Sequence, residues 1–304
     1  MIKYIDKYDG TSCSFCPNSN NLIGCSFSEN FCFLGKGRVL LLNYSSSKLI
    51  PIKQYNFEKC ISCIEFNKNN NPIIYSGDIE GKLVIINYKN NILFNKKIHL
   101  GNITSIKTEK LNNNLLFTAS SDKTSKIIDI NNFTEIYQIK NIFKKEITSI
   151  SLDHKIPNIL SLSSNDGLTI LFDIRNRQKP IKCFQFNNPI MSTDFSYYDS
   201  NFLIGESNGS ISLYDLRNYN NNAIQNYIGH SLANKMIKFS PFKKNIFGSC
   251  GYDMNINIWD ISISVPLRTY KHHTEFVTGI DFGQKNKMIS ISFDKSFCFF
   301  DLDI

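Results

Sequence analysis

The chain has 304 residues, 42% of them apolar, and its 34 Lys and Arg against 26 Asp and Glu give a net charge of +8. No run approaches the roughly eighteen apolar residues that a membrane span needs. The basic excess is scattered among Asn-rich stretches, with no tract denser than Lys144-Lys145 or Lys243-Lys244, so solvated loops are expected and no nucleic-acid partner.

In chain order, the opening residues Met1 to Lys7 hold neither an apolar signal core nor an Arg- and Ser-rich presequence, and a soluble cytoplasmic protein is expected. A short strand-like segment around Ile2–Ile5 is followed by a repeat. Alternating runs close at Asn43, Asn87, Asp129, Asp173, Asp215, Asp260 and Asp301, a period of about 41–45 residues. Directly before these anchors stand Leu42, Ile86, Ile128, Phe172, Tyr214, Trp259 and Phe300, all large and apolar. Seven residues before them stand Lys36, Glu80, Asp122, Asp166, Asn208, Asp253 and Asp294, mostly Asp or Asn, which suits a tight turn at the head of each run. Within the run Asp253 to Asp260, Ile256 and Ile258 share one face, the period of two that belongs to strands.

A strand ending in an apolar residue plus Asp at this period predicts an all-β fold, a seven-bladed WD-repeat β-propeller. It takes up residues 1–304 as a single domain, with no separate linker or second domain. Blades of this kind have four strands, and the seventh anchor lies close to Ile304. The Ile2–Ile5 segment is therefore expected to pair with the last blade and close the ring. The clusters Asn69–Asn71, Asn112–Asn114 and Asn220–Asn222 read as hairpin tips.

Nine cysteines include Cys13-x-x-Cys16 and Cys60-x-x-Cys63, a spacing known from zinc sites. Both pairs fall on inner strands of their blades, where residues three apart face opposite ways, so buried free thiols and no metal are expected. There is no phosphate-binding glycine loop, no His-Glu-x-x-His and no Gly-x-Ser-x-Gly. No catalytic residue and no cofactor follow, and the chain is expected not to be an enzyme. The pair His272-His273 reads as the blade-seven loop and not as a metal pair.

Three histidines, His99, His230 and His273, stand ahead of the turn residues Asp122, Asp253 and Asp294. In WD-repeat families such a His bonds the turn Asp in a buried polar network. That likeness implies a structural role for all six residues, with Ser249 and Trp259 completing the set in blade six.

Two stretches carry a more specific likeness. Residues 229–262 include Ile-Lys-Phe-Ser-Pro-Phe (Ile237 to Phe242) and Ser-Cys-Gly-Tyr-Asp (Ser249 to Asp253), and residues 272–301 include His-His-Thr-Glu-Phe (His272 to Phe276) with Asp281-Phe282. Together they resemble blades six and seven of the WD-repeat receptors for the type 2 peroxisomal targeting signal. Asp215 to Asn218, leading to Gly229-His230, is similar to blade five of that family. The resemblance covers roughly the C-terminal third.

It implies a non-enzymatic receptor that binds a nonapeptide, Arg/Lys-Leu-x5-His/Gln-Leu, near the N-terminus of matrix proteins. The receptor delivers them for import into the peroxisome. Its partners would be that peptide, a co-receptor and docking proteins, and it would act as a monomer cycling between cytoplasm and peroxisome. A short amphipathic helix must then meet apolar anchors and an acid on the face that bears the His and Asp loops. Tyr252 and Phe293 offer rigid apolar area, Glu275 and Glu58 offer charge, and Asn102 and Asn165 are further contacts. The family carries acids in the loops leading into blades two, three and five, where this chain has Lys59, Asn102 and Pro189. An acidic patch on that face is expected even so. The alternatives are a generic WD-repeat scaffold or a substrate receptor of a cullin-type ubiquitin ligase. Phe172 to Arg175 and Tyr214 to Arg217 resemble Trp-Asp-x-Arg docking motifs.

Overall fold

A computed structural model of the chain describes residues 1–303 apart from 18, 20, 46, 68–71, 89–91, 110–113, 177–178 and 219–221. The three Asn-rich tips fall almost wholly outside the described residues. The described strands form seven four-stranded antiparallel sheets, six of them built from four consecutive strands. In the seventh, Val277–Gly283, Lys287–Ser292 and Ser296–Asp301 are joined by Ile2–Ile5 from the start of the chain. Lys3 faces Cys298 and Ile2 faces Phe299 across that last ladder. The ring is thus a seven-bladed propeller closed by its N-terminal strand.

Blade six shows why the sequence folds this way. Its strands are Asn234–Phe239, Ile246–Gly251, Ile256–Asp260 and Arg268–Tyr270. Ile256 and Ile258 pack toward blade seven with Val277 and Ile280, while Trp259 packs toward blade five with Leu203 and Leu213. Both faces of the sheet are covered, so alternation survives as a choice of neighbour rather than of solvent. Only the outermost strand, Arg268–Tyr270, is largely exposed. Each large apolar side chain buried between blades contributes about 1.5–3 kcal/mol.

The turns follow the Asp signal. In blades two, four and five the residue after the turn head is Gly81, Gly167 or Gly209, at φ 87, 79 and 90°. Lys123, Met254 and Lys295 adopt the same left-handed conformation in blades three, six and seven. At Gly81 only glycine fits, since a Cβ would lie 2.2 Å from the His99 carbonyl oxygen.

One feature repeats in all seven innermost strands. Each carries a β-bulge near its start, between Gly10 and Ser12, Ile61 and Cys63, Ile103 and Ser105, Ile147 and Ser149, Ile190 and Ser192, Asn234 and Met236, and Val277 and Gly279. The bulge re-aims one side chain, and in five blades that side chain is a hydroxyl that donates to the next blade. Thr11 bonds the Ile61 carbonyl at 2.8 Å, Ser62 that of Ile103 at 2.6 Å and Thr104 that of Ile147 at 2.7 Å. Thr148 bonds Ile190 at 2.6 Å, and Thr278 bonds Gly10 across the closure at 2.8 Å. Blades five and six place Met191 and Lys235 at the bulge, so the hydroxyl chain is broken there.

The two Cys-x-x-Cys pairs are divided by their sheets. Cys13 packs between blades seven and one with Phe15 and Ile289, and Cys16 packs toward blade two with Val39 and Ile64. The expectation that both members lie on the strand needs correcting. Cys16 follows Asp9–Phe15, Cys60 precedes Ile61–Phe66, and the bulge at Ser62 lies inside the second pair. None of the nine cysteines is in a disulfide, and Cys183 is exposed.

Candidate functional site

The inner strands start at one mouth of the central channel and finish at the other, and the two mouths differ in charge chemistry. At the starting mouth the loops and Asp turns meet. His99 Nδ1 lies 2.9 Å from Asp122 and its Nε2 2.9 Å from the Thr118 hydroxyl. His230 repeats this with Asp253 at 2.9 Å and Ser249 at 2.7 Å, and Trp259 Nε1 donates to Ser249 at 2.8 Å. His273 reaches Asp294 at 3.0 Å and Ser290 at 2.8 Å. A carboxylate only accepts, so each ring donates from Nδ1 and accepts the hydroxyl proton at Nε2. Burial works against the Asp122, Asp253 and Asp294 carboxylates. Hydrogen bonds from His99, His230 and His273, from Thr124, Asn255 and Ser296 and from backbone N–H groups together outweigh it and hold all three carboxyls below their ordinary range. With both ring nitrogens engaged, these pairs are placed to hold loops to sheets.

Beside them runs a strip of aromatic rings across blades six, seven and one. Tyr252 stacks on Phe276 with centroids 4.7 Å apart, Phe276 meets Phe293 at 6.5 Å, and Phe293 meets Phe31 edge-on at 5.3 Å. The strip borders an open hollow of about 810 Å³ lined by Tyr8, Asp9, Glu29, Phe31, Glu275 and Phe293 among others. Its acids are not equivalent. Asp9 accepts the Phe31 backbone N–H at 2.8 Å, Glu29 accepts that of Lys36 at 2.8 Å, and Asp294 is bound to His273. The Glu275 carboxylate is exposed and takes no hydrogen bond or ion pair among the described residues.

Of the residues predicted as contacts, the structure gathers Glu275, Phe293 and, through Phe276, Tyr252. It does not bring the others to them. Glu58 is exposed and lies 3.9 Å from Lys36 Nζ. Asn165 donates to Glu146 at 2.7 Å, and Asn102 sits at the start of blade three with its side-chain oxygen buried. Lys59 is paired with Glu80 at 2.6 Å. Phe31, Glu29 and Asp9 carry no signal in the repeat pattern. They meet because blade one replaces its short turn by the loop from Glu29 to Lys36, in which Asn30, Phe31 and Cys32 all take left-handed φ of 48, 54 and 62°. Such residues cost about 1–3 kcal/mol each, a cost met here by the Asp9 and Glu29 hydrogen bonds. The available signs were Lys36 where other blades have an acid or amide, and the apolar Phe31-Cys-Phe-Leu34 in a loop.

The finishing mouth opens into a smaller cavity of about 350 Å³, where one position of the inner strands supplies Glu65, Lys107, Ser151, Asp194, Lys238 and Asp281. These charges are mostly spent on one another. Lys107 meets Glu65 at 3.0 Å, Lys238 meets Asp281 at 2.8 Å, and Asp194 takes the Ser151 hydroxyl at 3.0 Å and the Phe239 N–H at 2.7 Å. Burial pushes the Asp194 carboxyl up. Burial also opposes the Lys238 ammonium, but the carboxylates of Asp281 and Glu65 outweigh it and raise its affinity for the proton.

The repeat geometry has a counterpart among known families. The pattern of the WD domain, G-beta repeat, matches residues 221–260 and 264–301, the sixth and seventh blades. The chain carries WD repeats. The propeller is also similar to peroxisomal targeting signal 2 receptors: 35% identical over 77 residues to that of Mus musculus, a stretch of 24% of either chain. The Homo sapiens receptor is 41% identical over 54 residues and that of Dictyostelium discoideum 40% over 55, each stretch covering 17% of both chains. The match to these relatives thus spans a quarter of their length or less. No helix among the described residues is long and apolar enough to cross a membrane. The two Asp-x-Arg motifs are folded on themselves, with Arg175 on Asp173 at 2.7 Å and Arg217 on Asp215 at 2.6 Å.

Proposed function

We propose that this propeller is a non-enzymatic receptor for the type 2 peroxisomal targeting peptide, bound at the starting mouth across blades six, seven and one. Glu275 carries the reading: it is the exposed acid left without an internal partner beside a continuous strip of rings. A short amphipathic helix would lay its apolar face on Tyr252, Phe276, Phe293 and Phe31 and bring its basic end to Glu275. Aromatic anchors in such a surface supply most of the affinity, while Glu58, Asn102 and Asn165 would be rim positions. Asp9, Glu29, Glu275 and Asp294 outnumber Lys7 and Lys295 around the hollow and give it an acidic character within a basic chain, which would steer a cationic peptide toward it. The relatives named for this receptor support the assignment. Delivery would run with a co-receptor and docking proteins, from cytoplasm to peroxisome, and needs no cofactor.

Titration of a fluorescently labelled targeting nonapeptide into the purified protein tests the reading, with a control peptide whose Arg and His are both Ala. The intact peptide is expected to bind at least about tenfold more tightly, a difference of about 1.4 kcal/mol. Equal and weak binding of the two would overturn it.

A further inference from the structure

Blade seven departs from blade six at one point of its polar network, and the departure gathers metal-binding donors. In blade six the Ser249 hydroxyl serves His230 and is itself bonded by the Trp259 indole at 2.8 Å. Blade seven has Phe300 at the Trp position, with no N–H to give. A second imidazole takes the space. His272 Nε2 lies 3.2 Å from Ser290 Oγ, its ring 4.9 Å from that of Phe300, while His273 Nε2 reaches the same hydroxyl at 2.8 Å. Cys298 faces Ser290 across the ladder between Lys287–Ser292 and Ser296–Asp301, fully buried. One donor atom from each of His272, His273 and Cys298 lies within 4.8 Å of the others.

We infer that His272, His273 and Cys298 form a site for a borderline-to-soft transition-metal cation such as zinc(II), with the Ser290 hydroxyl or a water as fourth ligand. Two imidazoles and one thiolate are a donor set that such ions prefer over magnesium or calcium. His273 already has the required outer partner, since its Nδ1 donates to Asp294 at 3.0 Å and leaves Nε2 to point inward. The three ligands come from two places in one blade, the loop before Val277–Gly283 and the strand Ser296–Asp301, with Ser290 on the strand between. A bound ion would therefore fasten that loop to its sheet. On binding, the Cys298 thiol gives its proton to solvent and its sulfur lone pair to the metal, and His272 and His273 both exchange their bonds to Ser290 for the ion. Positive charge nearby opposes binding. Lys3 faces Cys298 in the ladder, and its ammonium lies 3.7 Å from Asp294.

Cobalt(II), a spectroscopic stand-in for zinc(II), is titrated into the reduced full chain carrying Cys183→Ser, which removes the exposed thiol. One equivalent is expected to bind, with a near-ultraviolet thiolate-to-cobalt charge-transfer band that zinc(II) bleaches. Cys298→Ala should abolish the band. His272→Phe, which keeps a ring beside Phe300, should weaken binding more than about tenfold, at least the loss that removing an outer partner causes. Lys3→Gln should tighten it. Absence of stoichiometric binding by the folded chain overturns the inference. So does a band that survives in Cys298→Ala, or in His272→Phe should the alanine variant not fold.

Discussion

At the finishing ends of the inner strands Lys238 meets Asp281 and Lys107 meets Glu65. At the starting ends of the same strands Glu275 stands exposed among rings and takes no ion pair among the described residues. Both mouths descend from one repeat, so the difference lies in which blades break symmetry. At the finishing mouth the charges come from one strand position and pair with neighbours around the ring. At the starting mouth the novelty sits in the blade-one loop from Glu29 to Lys36 and the blade-seven loop bearing Glu275, which adjoin at the ring closure. A mouth whose charges are paired adds to the fold. A mouth with an uncommitted carboxylate beside apolar rings has something left for a partner.

The largest expected effect belongs to the paired mouth. Lys238→Ala leaves the half-buried Asp281 without its cation beside the half-buried Asp194, and should cost up to about 3–5 kcal/mol in urea unfolding. A double change of Lys238→Met with Asp281→Leu should recover much of it, because apolar packing can replace an enclosed ion pair. An unchanged unfolding midpoint for Lys238→Ala would mean that this mouth is solvated and not structural.

Next come the networks that hold the starting mouth. Trp259→Phe removes the indole bond to Ser249 and should cost about 1–3 kcal/mol. The acid limb of stability reports the same groups. Asp122, Asp253 and Asp294 have carboxyls held below the unfolded value of about 3.9, so each adds stability that is present above that pH and lost as pH falls through the folded value. Asp194, raised by burial, works the other way and gains on acidification. Glu80, Asp173 and Asp215 are depressed as well, and only Asp78 joins Asp194 among the raised carboxyls, so net loss is predicted below about pH 4. Asp253→Asn should flatten that limb, and an identical acid limb in the variant would contradict the assignment.

Smaller effects should fall on binding rather than folding. Phe293→Ala, in the middle of the strip, is expected to weaken the peptide by about 2 kcal/mol, roughly thirtyfold. Glu275→Lys should shift stability by no more than about 0.5 kcal/mol while weakening the same peptide several-fold. A Glu275→Lys protein that binds normally would move the site away from blades seven and one.

The sequence already contained the frame. The anchors from Asn43 to Asp301 placed every blade, and the likeness to WD-repeat families pointed His99, His230 and His273 to the Asp side chains they meet. Other features were hidden for physical reasons. The bulge hydroxyls Thr11, Ser62, Thr104, Thr148 and Thr278 look like ordinary strand residues until pairing shows an extra residue in each ladder. Met191 and Lys235 further blur the pattern. Phe31 reaches Phe293 only because three residues in succession turn left-handed, a choice made by the contacts of Asp9 and Glu29 rather than by propensity. Glu58 stood at a plausible spacing but faces Lys36 and solvent, since spacing fixes the strand and not the aim of a loop side chain.

The central claim is that Glu275 receives the basic end of the peptide, and a reciprocal charge exchange tests it most directly. The affinities of an Arg-bearing and a Glu-bearing nonapeptide are measured against the unaltered chain and against Glu275→Lys. The account predicts that each single reversal weakens binding and that the double reversal restores a large part of the loss, a coupling of about 1 kcal/mol or more. Losses that simply add, with no recovery in the doubly reversed pair, would contradict it.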